Sequence, residues 1–135
     1  MVRMQVTYQG DKHCELIHEP SQSRIETDAP KDNNGRGERF SPTDLMGAAL
    51  GSCILTVMAI MAERDNIDLR GARASVEKEM YTNPRRISKL IVNLHMPAGV
   101  PRDYRKKLEL AANTCPVHRS LHPEIESPII FHFPD

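Results

Sequence analysis

The sequence predicts an α+β fold in a single domain spanning residues 1–135. Two observations carry that prediction. Alternating apolar and polar residues, the period of half-buried strands, occur on both sides of a long, nearly uncharged segment, Leu45 to Ala62, which has the length and start signals of a helix. The resulting order is strands, helix, hairpin, helices, strand, with no internal repeat, and the chain length suits one domain.

Met4, Val6 and Tyr8 alternate with Gln5 and Thr7, and Gln9-Gly10-Asp11 reads as a turn. Cys14, Leu16 and His18 share a face of a second strand, which Pro20-Ser21-Gln22-Ser23 ends. Arg24-Ile25-Glu26-Thr27 forms a short third strand. Asp28 to Arg39 is polar and rich in Gly and Asn, the composition of a loop. Gly35-Arg36-Gly37 within it is too short to signify phosphate binding.

Three signals then agree on a helix start. Ser41 suits the N-cap, Pro42 the first helical position, and Asp44 the acid of a capping box. The helix should run to about Asp65, with Asn66 near its end. Being apolar all round, it is expected to be a buried core helix and not a membrane span. Gly47 and Gly51 share one of its faces. Each costs about 1 kcal/mol relative to Ala in a helix interior, so close approach of another backbone is expected there, from a second subunit's helix or a tightly packed strand.

Ala72, Ala74, Val76 and Met80 alternate with Arg73, Ser75, Glu77 and Glu79, and Leu90, Val92, Leu94 and Met96 share the next face. With the turn Thr82-Asn83-Pro84-Arg85 between them, these runs predict a hairpin with one buried side. A second helix follows Pro101, with Tyr104, Leu108, Ala111, Ala112 and Cys115 as its apolar stripe. Pro116 sets a new boundary, placing Cys115 at the N-terminal edge of a short helix reaching Leu121. Ser127 to Phe133 supplies the last strand.

Lys plus Arg and Asp plus Glu balance at 18 each, aromatics are scarce and Trp is absent, so nucleic acid is not an expected partner. The odd count of three cysteines, widely spaced, does not fit a secreted disulfide framework. With no signal-peptide pattern at the N-terminus, a reducing, cytoplasmic setting is expected, in which cysteines are either inert packing or working thiols.

On local physics the cysteines are unequal. Cys53 lies mid-helix among small residues, where a free cysteine is commonly plain core. Cys115, at a helix N-terminus, would have its thiol pKa lowered by unpaired N–H groups. Cys115, His118 and His122, spaced three and four apart, form a candidate zinc set. Asp44 could orient a catalytic group, although capping already explains it.

Phe40-Ser41-Pro42-Thr43-Asp44-Leu45 running into Ala48-Ala49-Leu50-Gly51-Ser52-Cys53 resembles the core-helix signature of the OsmC-like and organic hydroperoxide resistance superfamily. Asn113-Thr114-Cys115-Pro116-Val117-His118-Arg119-Ser120-Leu121 resembles that superfamily's second cysteine motif. The resemblance implies an intertwined homodimer whose long central helices are enclosed by antiparallel sheets, and it offers a partner helix for Gly47 and Gly51. It further implies a peroxidase in which Cys53 attacks an organic hydroperoxide, becomes a sulfenic acid and condenses with Cys115. An external dithiol of lipoyl or thioredoxin type then restores the thiols, and neither cofactor nor metal is required. The sequence departs from the peroxidase branches in two places. Thr43 stands where those carry Glu, with Asp44 one position later, and the first hairpin has Lys12 but no Arg. Arg36 and Arg39 are the candidate substitutes. The departures make a non-turnover redox sensor or binding protein on the same scaffold the alternative.

Overall fold

The computed structural model describes all residues from Met1 to Asp135. The chain forms two compact units, Met1–Met46 and Gly47–Asp135.

In the first unit β1 (Met4–Tyr8), β2 (His13–His18) and β3 (Ser23–Asp28) form an antiparallel sheet in the order β1-β2-β3. Gly10, Asp11 and Lys12 turn the first hairpin with positive φ. Tyr8 pairs with Cys14, and His13 with Asp28. The polar loop after β3 contains one 3-10 turn, Lys31–Asn33, and closes on itself where the Asp28 N–H donates to the Phe40 carbonyl at 3.2 Å. Gly35 is obligatory there, because a Cβ would lie 1.8 Å from the Ala29 carbonyl oxygen.

Helix α1 (Pro42–Arg64) begins in this unit and continues into the second. Its capping box is reciprocal, as the residue types predict: the Asp44 N–H donates to Ser41 Oγ at 3.0 Å and the Ser41 N–H to Asp44 Oδ2 at 2.9 Å. The helix ends where Asn66 turns left-handed at φ 59° and the Ile67 N–H reaches back to the Ala62 carbonyl.

In the second unit β4 (Arg73–Thr82) and β5 (Arg85–His95) form the expected hairpin, with an irregularity between Glu79 and Met80. A 3-10 turn (Arg102–Tyr104), α2 (Arg105–Ala112) and α3 (Pro116–Ser120) then lead to β6 (Ile129–His132). Here the expectation of antiparallel sheets is corrected, for β6 runs parallel to β5, pairing Val92 with Ile129 and His95 with His132. The helical connection carries the chain back to the level of Lys89 before β6 runs beside Val92–His95, as parallel pairing requires.

Leu50, Ile54, Met58 and Ala62 of α1 form one core with Ile87, Leu90, Val92, Leu94, Leu108, Ala112 and Cys115. The buried positions of α1 fall on a single stripe, so within one chain the helix covers one face only. Met46 (41% exposed) and Ile60 (49%) stand outside it. The Tyr104 hydroxyl and the Lys107 ammonium fasten α2 to the end of α1, both donating to Asp65 Oδ2, at 2.6 and 2.7 Å.

A packed strand, one of the two neighbours expected, lies close against the face that Gly51 presents. A Cβ on Gly51 would meet Val76 Cγ2 at 3.0 Å and Ala74 Cβ at 3.3 Å, whereas one on Gly47 would find Leu90 and Val76 at ordinary distances of 3.4 and 3.5 Å. Gly47→Ala should therefore recover helix propensity and stabilise by up to about 1 kcal/mol. Gly51→Ala should be offset by overpacking and fall about 1 kcal/mol or more below it. Chemical denaturation of the two variants checks the difference.

Candidate functional site

Helix α1 holds Cys53 half-buried, next to the buried Ile54. Cys115 arrives by a different route. The chain breaks after α2, and Pro116 starts α3 with Cys115 as its N-cap, fully buried in the core. The Cys115 sulfur accepts the His118 N–H at 3.4 Å. Both thiols are free. Although 62 positions apart in sequence (115 − 53), they come within hydrogen-bonding reach of each other.

That proximity alters the reading of Cys115. Burial pushes its thiol pKa up, and the hydrogen bond to Cys53 pushes it the same way; the His118 N–H opposes both and is outweighed. The expected lowering at a helix terminus is thus corrected, since α3 has only five residues and its N-cap sulfur is removed from water. Cys115 is held as a neutral thiol by burial first and by the neighbouring Cys53 second. Of the two, Cys53 is the more exposed.

The remaining candidates fall elsewhere. The Asp44 carboxylate is engaged in the α1 capping box. Arg36 and Arg39 are committed to carboxylates: Arg36 to Asp28 and Asp11, at 3.3 and 3.4 Å, and Arg39 to Glu26 at 3.3 Å. Cys14 lies half-buried on β2. The zinc set does not assemble. Leu121 turns extended after α3, His122 leaves the helix face and accepts the Glu124 N–H, and no group of three or more His, Cys, Asp or Glu is arranged to hold a metal.

One cluster escapes the sequence reading. His13 Nδ1 lies 2.6 Å from Asp28 Oδ1, and its Nε2 lies 3.1 Å from Glu26 Oε1. The hydrogen bond to Asp28 chiefly raises the His13 pKa, seconded by Glu26, and both carboxyl groups are held below their usual range by His13 first. The signal lay in cross-strand register, which sets His13 opposite Asp28; reading β2 alone could not show it.

A family model described as OsmC-like protein matches residues 35–128. A crystal structure from Psychrobacter arcticus 273-4, provisionally described as an osmotic stress induced and detoxification response protein, shares 42% identity and a TM-score of 0.93, over 98% of this chain and 96% of that one. An organic hydroperoxide resistance protein OsmC from Legionella pneumophila is 15% identical with a TM-score of 0.78, over 97% and 96% of the two chains. An OsmC-like protein from Mycoplasma pneumoniae is 16% identical with a TM-score of 0.82, over 100% and 98%. The last two likenesses speak to fold. No curated protein matches the chain.

Proposed function

The chain belongs to the OsmC-like family, and from that premise we propose that it is a cysteine-based peroxidase that reduces organic hydroperoxides. The family is linked to organic hydroperoxide resistance and oxidative stress. The observation that carries the finer reading is the pairing of an accessible Cys53 with a buried, protonated Cys115.

In the reaction, the Cys53 thiolate attacks the terminal oxygen of ROOH. The O–O bond breaks, the sulfur takes the terminal OH as a sulfenic acid, and RO⁻ leaves as ROH by taking up from water the equivalent of the proton that the Cys53 thiol lost on ionising. Cys115 then attacks that sulfur; its proton leaves with the hydroxyl as water, and a Cys53–Cys115 disulfide forms. A dithiol reductant of lipoyl or thioredoxin type reopens the disulfide and is itself oxidised to a disulfide. Before oxidation a neutral Cys115 neither competes for peroxide nor repels the Cys53 thiolate, and it becomes the nucleophile only as it gives up its proton on attacking the sulfenic acid.

One equivalent of cumene hydroperoxide, followed by alkylation and mass spectrometry, should reveal a Cys53–Cys115 disulfide. Two alkylated thiols would overturn the reading. Thr43, standing where peroxidase branches carry Glu, favours the second reading of a redox sensor. In that case the disulfide forms once, and dithiol supports no repeated consumption.

The active form in this proposal is a cytoplasmic homodimer. Helix α1 has a mean hydropathy of 2.1 over its most apolar window, yet only 33% of that window is buried within one chain. Met4, Val6 and Tyr8 also expose one face of β1. A second copy is the simplest cover for these surfaces.

A further inference from the structure

The His13 cluster lines a polar pocket of about 380 Å³ inside the first unit, and it ties down the loop joining β3 to α1. Every charged group facing this pocket takes part or sits beside it: His13 from β2, Glu26 and Asp28 from β3, Arg36, Glu38 and Arg39 from the loop, and Asp11 from the first turn. Ionised carboxylates only accept hydrogen bonds. A ring with Asp28 on one nitrogen and Glu26 on the other can satisfy both only as the imidazolium.

The two contacts are not equivalent. Asp28 is 1% exposed, its bond to Nδ1 is the shorter, and its Oδ2 has no partner. It cannot spare the Nδ1 donor. Glu26 is 37% exposed, its bond to Nε2 is the longer, and it can turn to water. Glu26 is also the one side-chain acceptor that Arg39 has outside the loop, since Arg39 otherwise donates to the neighbouring Glu38 carbonyl. Arg36, by contrast, keeps Asp28 and Asp11 whatever His13 does.

We propose that His13, Glu26 and Arg39 form a proton-operated latch: with both ring nitrogens protonated the Arg39 end of the loop is held, and loss of the Nε2 proton sets a lone pair against Glu26 Oε1, so that the Glu26 carboxylate swings away from the ring and takes with it Arg39, bound at its other oxygen. The proton passes to solvent and no covalent bond other than that N–H changes. The latch closes fully above the carboxylate range and below the ordinary histidine value of about 6.5. It opens as pH climbs through the raised His13 value, and acid opens it separately by protonating Glu26 and Asp28.

The test is an NMR titration of the full-length protein from pH 5 to 10, following the His13 ring nitrogens together with amide exchange of residues 36–40. At the low end of the closed window both nitrogens should carry protons. Above the transition only Nδ1 should remain protonated, and loop protection, corrected for intrinsic exchange, should fall about three-fold or more with the same midpoint. Glu26→Gln presents an amide able to face either form of the ring, so the loop transition should vanish while His13 still titrates. Arg39→Gln should leave the loop unprotected at every pH. A neutral His13 at pH 6, or loop protection that ignores the His13 midpoint, overturns the latch.

Discussion

Cys53→Ser is expected to reduce peroxide consumption by on the order of 10³-fold or more, because no other thiol in the second unit is open to substrate. Serine fills nearly the same volume but is not ionised near neutral pH, so the nucleophile is lost and the fold kept. Cys115→Ser should behave differently. The first oxidation proceeds, but the sulfenic acid on Cys53 finds no resolving thiol and persists, and a dimedone adduct on Cys53 would reveal it. Equal, complete loss of the first turnover in both variants would mean that Cys115 does more than resolve. That outcome is physically distinct, for the Cys115 S–H is placed to hydrogen-bond the Cys53 sulfur. Cys115→Ala tests the donor on its own: serine keeps a donor and alanine does not, so a first turnover kept in Cys115→Ser and lost in Cys115→Ala would assign the donor role.

Ile60→Asp is expected to dissociate the proposed dimer. Ile60 is 49% exposed in the single chain, on the side of α1 away from the buried stripe of Leu50, Ile54 and Met58. If a second copy covers that side, the substitution buries an unpaired carboxylate in each subunit, and one such charge costs about 3–5 kcal/mol. The dissociation constant should rise at least about 10²-fold, as read by analytical ultracentrifugation over a concentration series. Glu63→Ala, also in an exposed position of α1, serves as the control and should leave association almost unchanged. A monomeric parent protein at the highest concentration would refute the dimer directly. The same experiment bears on the exposed Met4, Val6 and Tyr8, which have no cover within the chain.

Several features needed only local chemistry and were legible in the residues. Ser41, Pro42 and Asp44 placed the start of α1 because capping acts over three positions, and Asn66 marked its end because a left-handed residue closes a helix locally. The alternation in β4 and β5 stated which side is buried, since side-chain direction in a strand has period two. Cys53 and Cys115 stood out through motif context.

Other features arise only when distant segments meet. Gly47 and Gly51 pointed alike to a close neighbour, but only the packing sets β4 tightly against Gly51 and leaves Gly47 at ordinary distances, because a missing Cβ does not name its neighbour. The parallel entry of β6 depends on where α2 and α3 carry the chain, which no strand pattern encodes. The thiols were assigned opposite tendencies by the helix-terminus argument. Burial and contact with Cys53 reversed that for Cys115, because desolvation outweighs the weak dipole of a five-residue helix. His13 looked idle while β2 was read by itself, and proved to stand between two carboxyl groups once β3 was paired beside it. The sequence by itself determined the elements and the two cysteines. Tertiary structure decided their protonation and partners, because electrostatics and close packing depend on what lies nearby in space.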